Sequence, residues 1–156
     1  GLATVKWPGR MEILGQRPLV VVDGAHNPYS VRRLLEAVDF HLRFQRMLLI
    51  FGVGVTHNPQ ALLAILLPVA AETYVTQAHH AKAMPAAELQ TAASGLGYRV
   101  CARDTVRAAL RQALDEAQED DLVLVTGSLF VVAEARSAWA EYKGLPPLPS
   151  DPPGVY

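Results

Sequence analysis

Pro18-Leu19-Val20-Val21-Val22-Asp23-Gly24-Ala25-His26-Asn27-Pro28 passes from a buried-looking strand to a helix start through a turn carrying an acid, a glycine and an imidazole. Leu19 to Val22 is a short unbroken apolar run, the pattern of a strand covered on both faces. Asp23 then falls at its carboxyl end, where crevices open in parallel sheets. Asn27 followed by Pro28 reads as an N-cap and first helical residue. Free backbone N–H groups are therefore expected beside Asp23 and His26, an arrangement that favours an anion.

Working outward, the same rhythm of short apolar strand and amphipathic helix repeats along the chain. The strand candidates are Leu19–Val22, Met47–Phe51, Thr73–Thr76, Tyr98–Cys101 and Leu122–Val125, with Arg10–Leu14 a possible short edge strand. The first helix carries Val31, Leu34, Leu35, Val38 and Leu42 at a 3.6-residue spacing. A second begins at Asn58-Pro59, a third opens at Pro85 and stops near Gly95 and Gly97, a fourth is capped by Asp104 or Thr105, and a fifth runs from about Ser128 to Tyr142. Alternation with short connections predicts an α/β, Rossmann-like domain: a mostly parallel sheet of about five or six strands with helices on both faces.

A chain of 156 residues, 51% of them hydrophobic, has the length and composition of one domain with a sizeable core. The formal charge of −1 gives no global field that would suggest nucleic acid or an anionic membrane as partner. Cys101 is the only cysteine, which excludes an intramolecular disulfide and a cysteine-rich metal site within the chain and fits a reducing cytoplasm. No apolar run approaches the roughly 20 residues that span a bilayer. Residues 1–9 read as a linker remnant, 10–143 as the domain, and the proline-loaded stretch 144–156 as an extended tail.

Three strand ends carry candidate chemistry. At the first, the Asp23 carboxylate can accept two ribose hydroxyls and His26 can donate to an anion or a substrate carboxylate. The alternative is that Asp23 and Asn27 only cap a helix. At the second, Gly52-Val53-Gly54 invites a dinucleotide reading, but His57 occupies the third glycine position and no acid follows at a second strand end, so a turn without a cofactor is the better account. At the third, Thr126-Gly127-Ser128-Leu129-Phe130 lacks the glycines of a nucleophile elbow, leaving Ser128 as an N-cap or a ligand-binding hydroxyl. His79-His80 reads as a pair of solvated loop histidines and Cys101 as a small buried residue. Arg10, after Trp7-Pro8-Gly9, can fork onto phosphate oxygens or sit on the surface.

Trp7-Pro8-Gly9-Arg10-Met11-Glu12, Asp23-Gly24-Ala25-His26-Asn27-Pro28, and Val125-Thr126-Gly127-Ser128-Leu129-Phe130 with Ala133-Glu134-Ala135-Arg136 closely resemble, in this order, the carboxy-terminal domain of folylpolyglutamate and bifunctional dihydrofolate synthases of the Mur ligase superfamily. The resemblance extends from Trp7 to about Tyr142. It implies an ATP-dependent ligase in which ATP and Mg2+ phosphorylate a folate carboxylate and L-glutamate attacks the resulting acyl phosphate. Reduced folate or dihydropteroate would be the acceptor and a cytoplasmic monomer is expected. The family's ATP-binding P-loop domain precedes this one; no Gly-x-x-x-x-Gly-Lys-Ser/Thr occurs in the chain, so the chain alone is expected to be inactive. By the resemblance, Arg10 matches an arginine that reaches ATP phosphates and Asp23 the acid that holds the ribose. His26 and Ser128 match positions around the incoming glutamate and become the candidate catalytic residues. The chain departs from the family at Thr56-His57, where a Lys-Asp pair is usual, and at Lys82, where an arginine is common. The alternative is a stand-alone, non-catalytic nucleotide-binding or regulatory module of the same fold.

Overall fold

The computed structural model describes residues 10–149. The expected linker stretch 1–9 and residues 150–156 lie outside it. The elements in chain order are β1 (Glu12–Gln16), β2 (Leu19–Asp23), α1 (Pro28–His41), β3 (Met47–Phe51), α2 (Pro59–Leu66) with a 3-10 turn at Leu67–Val69, β4 (Glu72–Val75), α3 (Ala86–Gly95), β5 (Cys101–Ala102), α4 (Val106–Glu116), β6 (Leu122–Thr126) and α5 (Leu129–Lys143). They build one six-stranded sheet in the order β1-β2-β6-β3-β4-β5. Only β1 is antiparallel to its neighbour. The expected α/β, Rossmann-like class is what the chain adopts.

The two-residue period of the strands divides the interior into two cores. Val21, Leu49, Phe51, Leu122 and Leu124 face α1, α2 and α3. Val20, Val22, Leu48, Ile50, Val123 and Val125 face α4 and α5. Most of these strand residues are fully buried, which is why β2, β3 and β6 read as continuous apolar runs. Each such side chain contributes about 1.5–3 kcal/mol relative to exposure.

Sheet order places the site. The chain runs from β2 to β3 and leaves a slot, which β6 fills last after α4 has returned over the opposite face. The helices that follow β2 and β6, two adjacent parallel strands, therefore leave on opposite faces and open a crevice at the carboxyl ends.

Some boundaries differ from expectation. The edge strand continues to Gln16, and the third candidate shifts by one residue to Glu72–Val75. The Tyr98–Cys101 candidate shrinks to a two-residue strand at Cys101–Ala102. As an edge strand it pairs on one side only, with β4, and Tyr98 and Arg99 stay exposed. The cap of α4 is Thr105, whose hydroxyl accepts from Ala108 N–H at 3.0 Å, rather than Asp104. Gly144 closes α5 in the left-handed conformation, φ 65°.

Candidate functional site

Asp23 ends β2 half-buried, with both carboxylate oxygens engaged by the backbone. Oδ1 accepts from Ala25 N–H and Oδ2 from Met11 N–H, each at 2.8 Å. Burial raises the Asp23 pKa above its ordinary value, against the opposing pull of these two N–H bonds and the nearby Arg10 charge. Met11 adopts φ 47°, a left-handed conformation in a residue that is not glycine. Its amide is tied directly to Asp23, so this carboxylate anchors the entry of the chain as well as facing the crevice.

The turn that follows is less open to anions than the sequence implied. Ser30 Oγ accepts from His26 N–H at 3.1 Å and from Asn27 N–H at 3.2 Å, while Ser30 N–H donates to Asn27 Oδ1 at 2.8 Å. This capping box, with Ala25 N–H taken by Asp23, satisfies most of the expected free donors within the chain. Side chains are left as the recognition groups. His26 is exposed and its Nδ1 lies 2.9 Å from the Gly24 carbonyl. A carbonyl only accepts, so Nδ1 carries the hydrogen and Nε2 remains available.

Across the crevice, Ser128 caps α5: its Oγ accepts from Phe130 N–H at 3.1 Å and keeps its own hydrogen to donate. The cap reading of Ser128 holds, and a ligand contact remains compatible with it. The turn before it requires glycine. Gly127 has φ 116°, and a Cβ there would lie 2.1 Å from the Gly52 carbonyl oxygen. A Cβ on Gly52 would in turn meet the Thr76 carbonyl at 2.8 Å. Gly52 thus serves close backbone packing among the ends of β6, β3 and β4, a physical reason for a glycine without a dinucleotide.

His26 and Ser128 line a cavity of about 250 Å³ together with Thr56, His57, His80 and Lys82. Val53, Ala78, Leu129, Phe130 and Val131 supply its apolar wall. The His26 and His57 rings stand 5.1 Å apart. Burial, then the neighbouring His26, lowers the His57 pKa below the ordinary histidine value. His80 stacks on Phe130 with centroids 4.0 Å apart. No acidic residue lines this cavity, and neither Lys82 nor the three histidines has a carboxylate partner among the described residues.

A larger cleft of about 820 Å³, between the segment after β4, the start of α4 and α5, shares Ala78 and His80 with the first. Arg107 pairs with Glu141, and Glu134 accepts from His79 N–H at 2.9 Å. The smaller cavity, which basic residues line and no carboxylate does, is the stronger candidate ligand site. The resemblance residues Glu12 and Arg136 are brought together far from it in sequence, Arg136 Nε donating to Glu12 Oε2 at 2.8 Å, a tie between β1 and α5. Among the described residues no group of three or more His, Cys, Asp or Glu side chains gathers to hold a metal, and no helix is long and apolar enough to cross a membrane.

Sequence reasoning placed Asp23, His26 and Ser128 at strand ends, and the sheet brings those ends side by side. Arg10 is exposed beside Asp23. His57 was set aside as part of a turn and His80 as a solvated histidine; both line the cavity. Nothing local in the sequence marks them, because their meeting with His26 and Ser128 depends on strand order.

Comparison with known proteins agrees with this fold. The sequence profile of the Mur ligase glutamate ligase domain matches residues 9–129. A probable bifunctional folylpolyglutamate synthase/dihydropteroate synthase from Halobacterium salinarum is 39% identical over 144 residues, 89% of this chain and 17% of that protein. Escherichia coli FolC in complex with DHPP and ADP superposes with a TM-score of 0.81 at 27% identity, over 90% of this chain and 33% of that one. A bifunctional folylpolyglutamate synthase/dihydrofolate synthase with Mn, AMPPNP and L-glutamate bound gives 0.78 at 25% identity, over 86% and 32%. The chain thus spans a third or less of the length of these relatives. The chain belongs to the Mur ligase glutamate ligase domain family.

Proposed function

We propose that the chain is the carboxy-terminal domain of an ATP-dependent ligase that joins L-glutamate to a folate, and that it works only with a P-loop domain across the crevice. The observation that carries this reading is the juxtaposition of Asp23, His26 and Ser128 at the adjacent ends of β2 and β6, beside a cavity whose charged lining is entirely basic. Relatives with the same fold bind ADP, AMPPNP or L-glutamate.

The residues present fit a nucleotide in part. Each Asp23 oxygen accepts one backbone N–H and keeps a further acceptor position, enough for the two hydroxyls of a ribose. Arg10 beside it supplies a charge for phosphate. No set of magnesium ligands is present among the described residues, so a metal role is assigned to the other domain. ATP, when bound, supplies the activation of the folate carboxylate as an acyl phosphate.

The residues of this chain do the rest by position. With Nδ1 turned to the Gly24 carbonyl, His26 presents Nε2 to the incoming amine, which gives up its proton as its nitrogen attacks the activated carbonyl and phosphate leaves. Ser128 donates its hydroxyl hydrogen to a carboxylate oxygen of the same amino acid. The apolar wall of Leu129, Phe130 and Val131 excludes water that would otherwise hydrolyse the activated acid. Most of the rate then comes from holding two reactants in register rather than from a covalent intermediate on the protein.

The test is glutamate addition by the complete two-domain ligase. Asp23→Ala is expected to lower kcat/KM by about 100-fold, and His26→Ala to raise KM for glutamate more than KM for ATP. Unchanged kinetics in Asp23→Ala would overturn the assignment. ATP binding at the Asp23 turn without amide formation from any acceptor would instead favour a stand-alone nucleotide-binding module.

A further inference from the structure

The outer face of α1 carries a stripe that the fold leaves bare. Tyr29 and Phe40, 73% and 77% exposed, are the two most exposed large apolar side chains among the described residues. They stand about three turns and about 16 Å apart along one helix, on the same line of its surface. Arg33 and Glu36 lie between them on that line, at the i, i+4, i+7, i+11 spacing of a seam between two helices. Single exposed apolar residues are ordinary on a protein surface, whereas two aromatic rings aligned with a charged pair between them form a patch.

The opposite face of α1 is committed to the core through Val31, Leu34 and Val38. On the stripe, contacts among the described residues are local. Arg33 and Glu36 approach to 3.9 Å with side chains 68% and 70% exposed, and the Phe40 ring meets that of His41, its neighbour in the chain. An ion pair this exposed adds little to the helix, so both charges are free to turn to a partner.

The order along the stripe is aromatic, basic, acidic, aromatic, and turned end for end it complements itself. We propose that two copies of the chain pair through the outer faces of α1, antiparallel, about a twofold axis that passes between Arg33 and Glu36. Each Arg33 then faces the partner's Glu36, and each Tyr29 faces the partner's Phe40. On one flank of the seam, exposed Arg32 comes alongside the partner's Asp39. A twofold contact requires such self-complementarity, and a partner of any other kind does not. A monomer, the state the family resemblance implies, would leave both rings in water. The pairing is independent of the ligase reading.

The size of the seam sets its strength. With two aromatic rings from each copy and the stems of the arginines beside them, it buries on the order of 800 Å² in total, short of the standard size of a stable interface. Pairing is therefore reversible, with a Kd of about 10–100 μM. Its charges oppose one another in register across the axis, which fixes the antiparallel alignment more than it adds affinity.

Sedimentation equilibrium of the 156-residue chain and of the complete ligase decides it. Both are expected to pass from monomer to dimer as concentration rises through about 10–100 μM. Phe40→Ser should weaken the dimer about 10- to 100-fold, the effect of removing an aromatic anchor from each copy. Arg33→Glu and Glu36→Arg should each weaken it too, because like charges then oppose at two points, and an equimolar mixture of these two variants should associate more tightly than either alone. All three positions are exposed, so melting temperatures should stay at the wild-type value within error. A chain that remains monomeric, a dimer indifferent to Phe40→Ser, or a mixture no tighter than its components overturns the proposal. So does a complete ligase that remains monomeric while the chain pairs, since the stripe then seats another part of the same ligase. Failure of the ligase to form any amide would overturn the ligase reading and leave the sedimentation result to judge the α1 pair.

Discussion

The two ends of the same central strands handle charge in opposite ways. At the amino end of β3 and β6, Arg46 grips Asp121 with two hydrogen bonds, at 2.7 and 3.3 Å, and Gln118 N–H adds a third. At the carboxyl end, Asp23 has only backbone donors, and His26, His57 and Lys82 have no acid among the described residues. The two aspartates register the difference. The Arg46 hydrogen bonds lower the Asp121 pKa, whereas burial raises that of Asp23. One end matches its charges within the described residues; the other does not.

That contrast is open to attack at several points. The severest is Gly127→Ala, which forces a Cβ against the Gly52 carbonyl at an unfavourable φ. It should cost about 3 kcal/mol or prevent folding, by denaturant unfolding. Near-wild-type stability there would show that the strand ends are not held by backbone contact. Next, Asp121→Ala should cost about 2–3 kcal/mol, the lower part of the range for a broken ion pair because the Arg46 side chain is 41% exposed.

The sign of the pH dependence separates the two ends further. Asp121, with its folded pKa depressed, contributes stability that is present above the unfolded value of about 3.9 and lost as pH falls through the folded one. Asp23, with its folded pKa raised, works the other way: its contribution is full below the unfolded value and disappears as pH rises through the folded one. Acid titration of Asp121→Ala should therefore lack part of the wild-type loss, and the same titration of Asp23→Ala should not. A smaller stability effect, about 1–2 kcal/mol, is expected for Asp23→Ala itself, from two orphaned N–H groups. The fold is thus not indifferent to Asp23, since its carboxylate also anchors Met11. Least of all, Arg17→Ala removes an ion pair whose side chains are 67% and 76% exposed and should leave Tm unchanged within error.

Much of the scaffold was readable because burial on both faces writes itself as unbroken runs such as Leu19–Val22 and Leu122–Val125. Helix starts were readable where Asn-Pro and Ser announced them. The short β5 was not, because an edge strand with one partner imposes little pattern on its residues. Of the site, Asp23, His26 and Ser128 stood out through their own local turns. His57 and Lys82 were marked only as departures from the family pattern, since what brings them to the cavity of His26 is the insertion of β6 between β2 and β3, a long-range fact with no periodic trace. Glu12 and Arg136 belonged to the resemblance without a stated role, and their pairing across the fold gives them a structural one.

The contact between Gly52 and Gly127 has a further consequence for engineering. Where strand ends touch through bare backbone, no side chain grows sideways, and the chemical groups stand on the loops above. The donors at positions 26, 57, 82 and 128 are in that sense interchangeable fittings on a fixed bench. Altering what the cavity accepts becomes a matter of exchanging those fittings while the bench, down to its two glycines, is left alone.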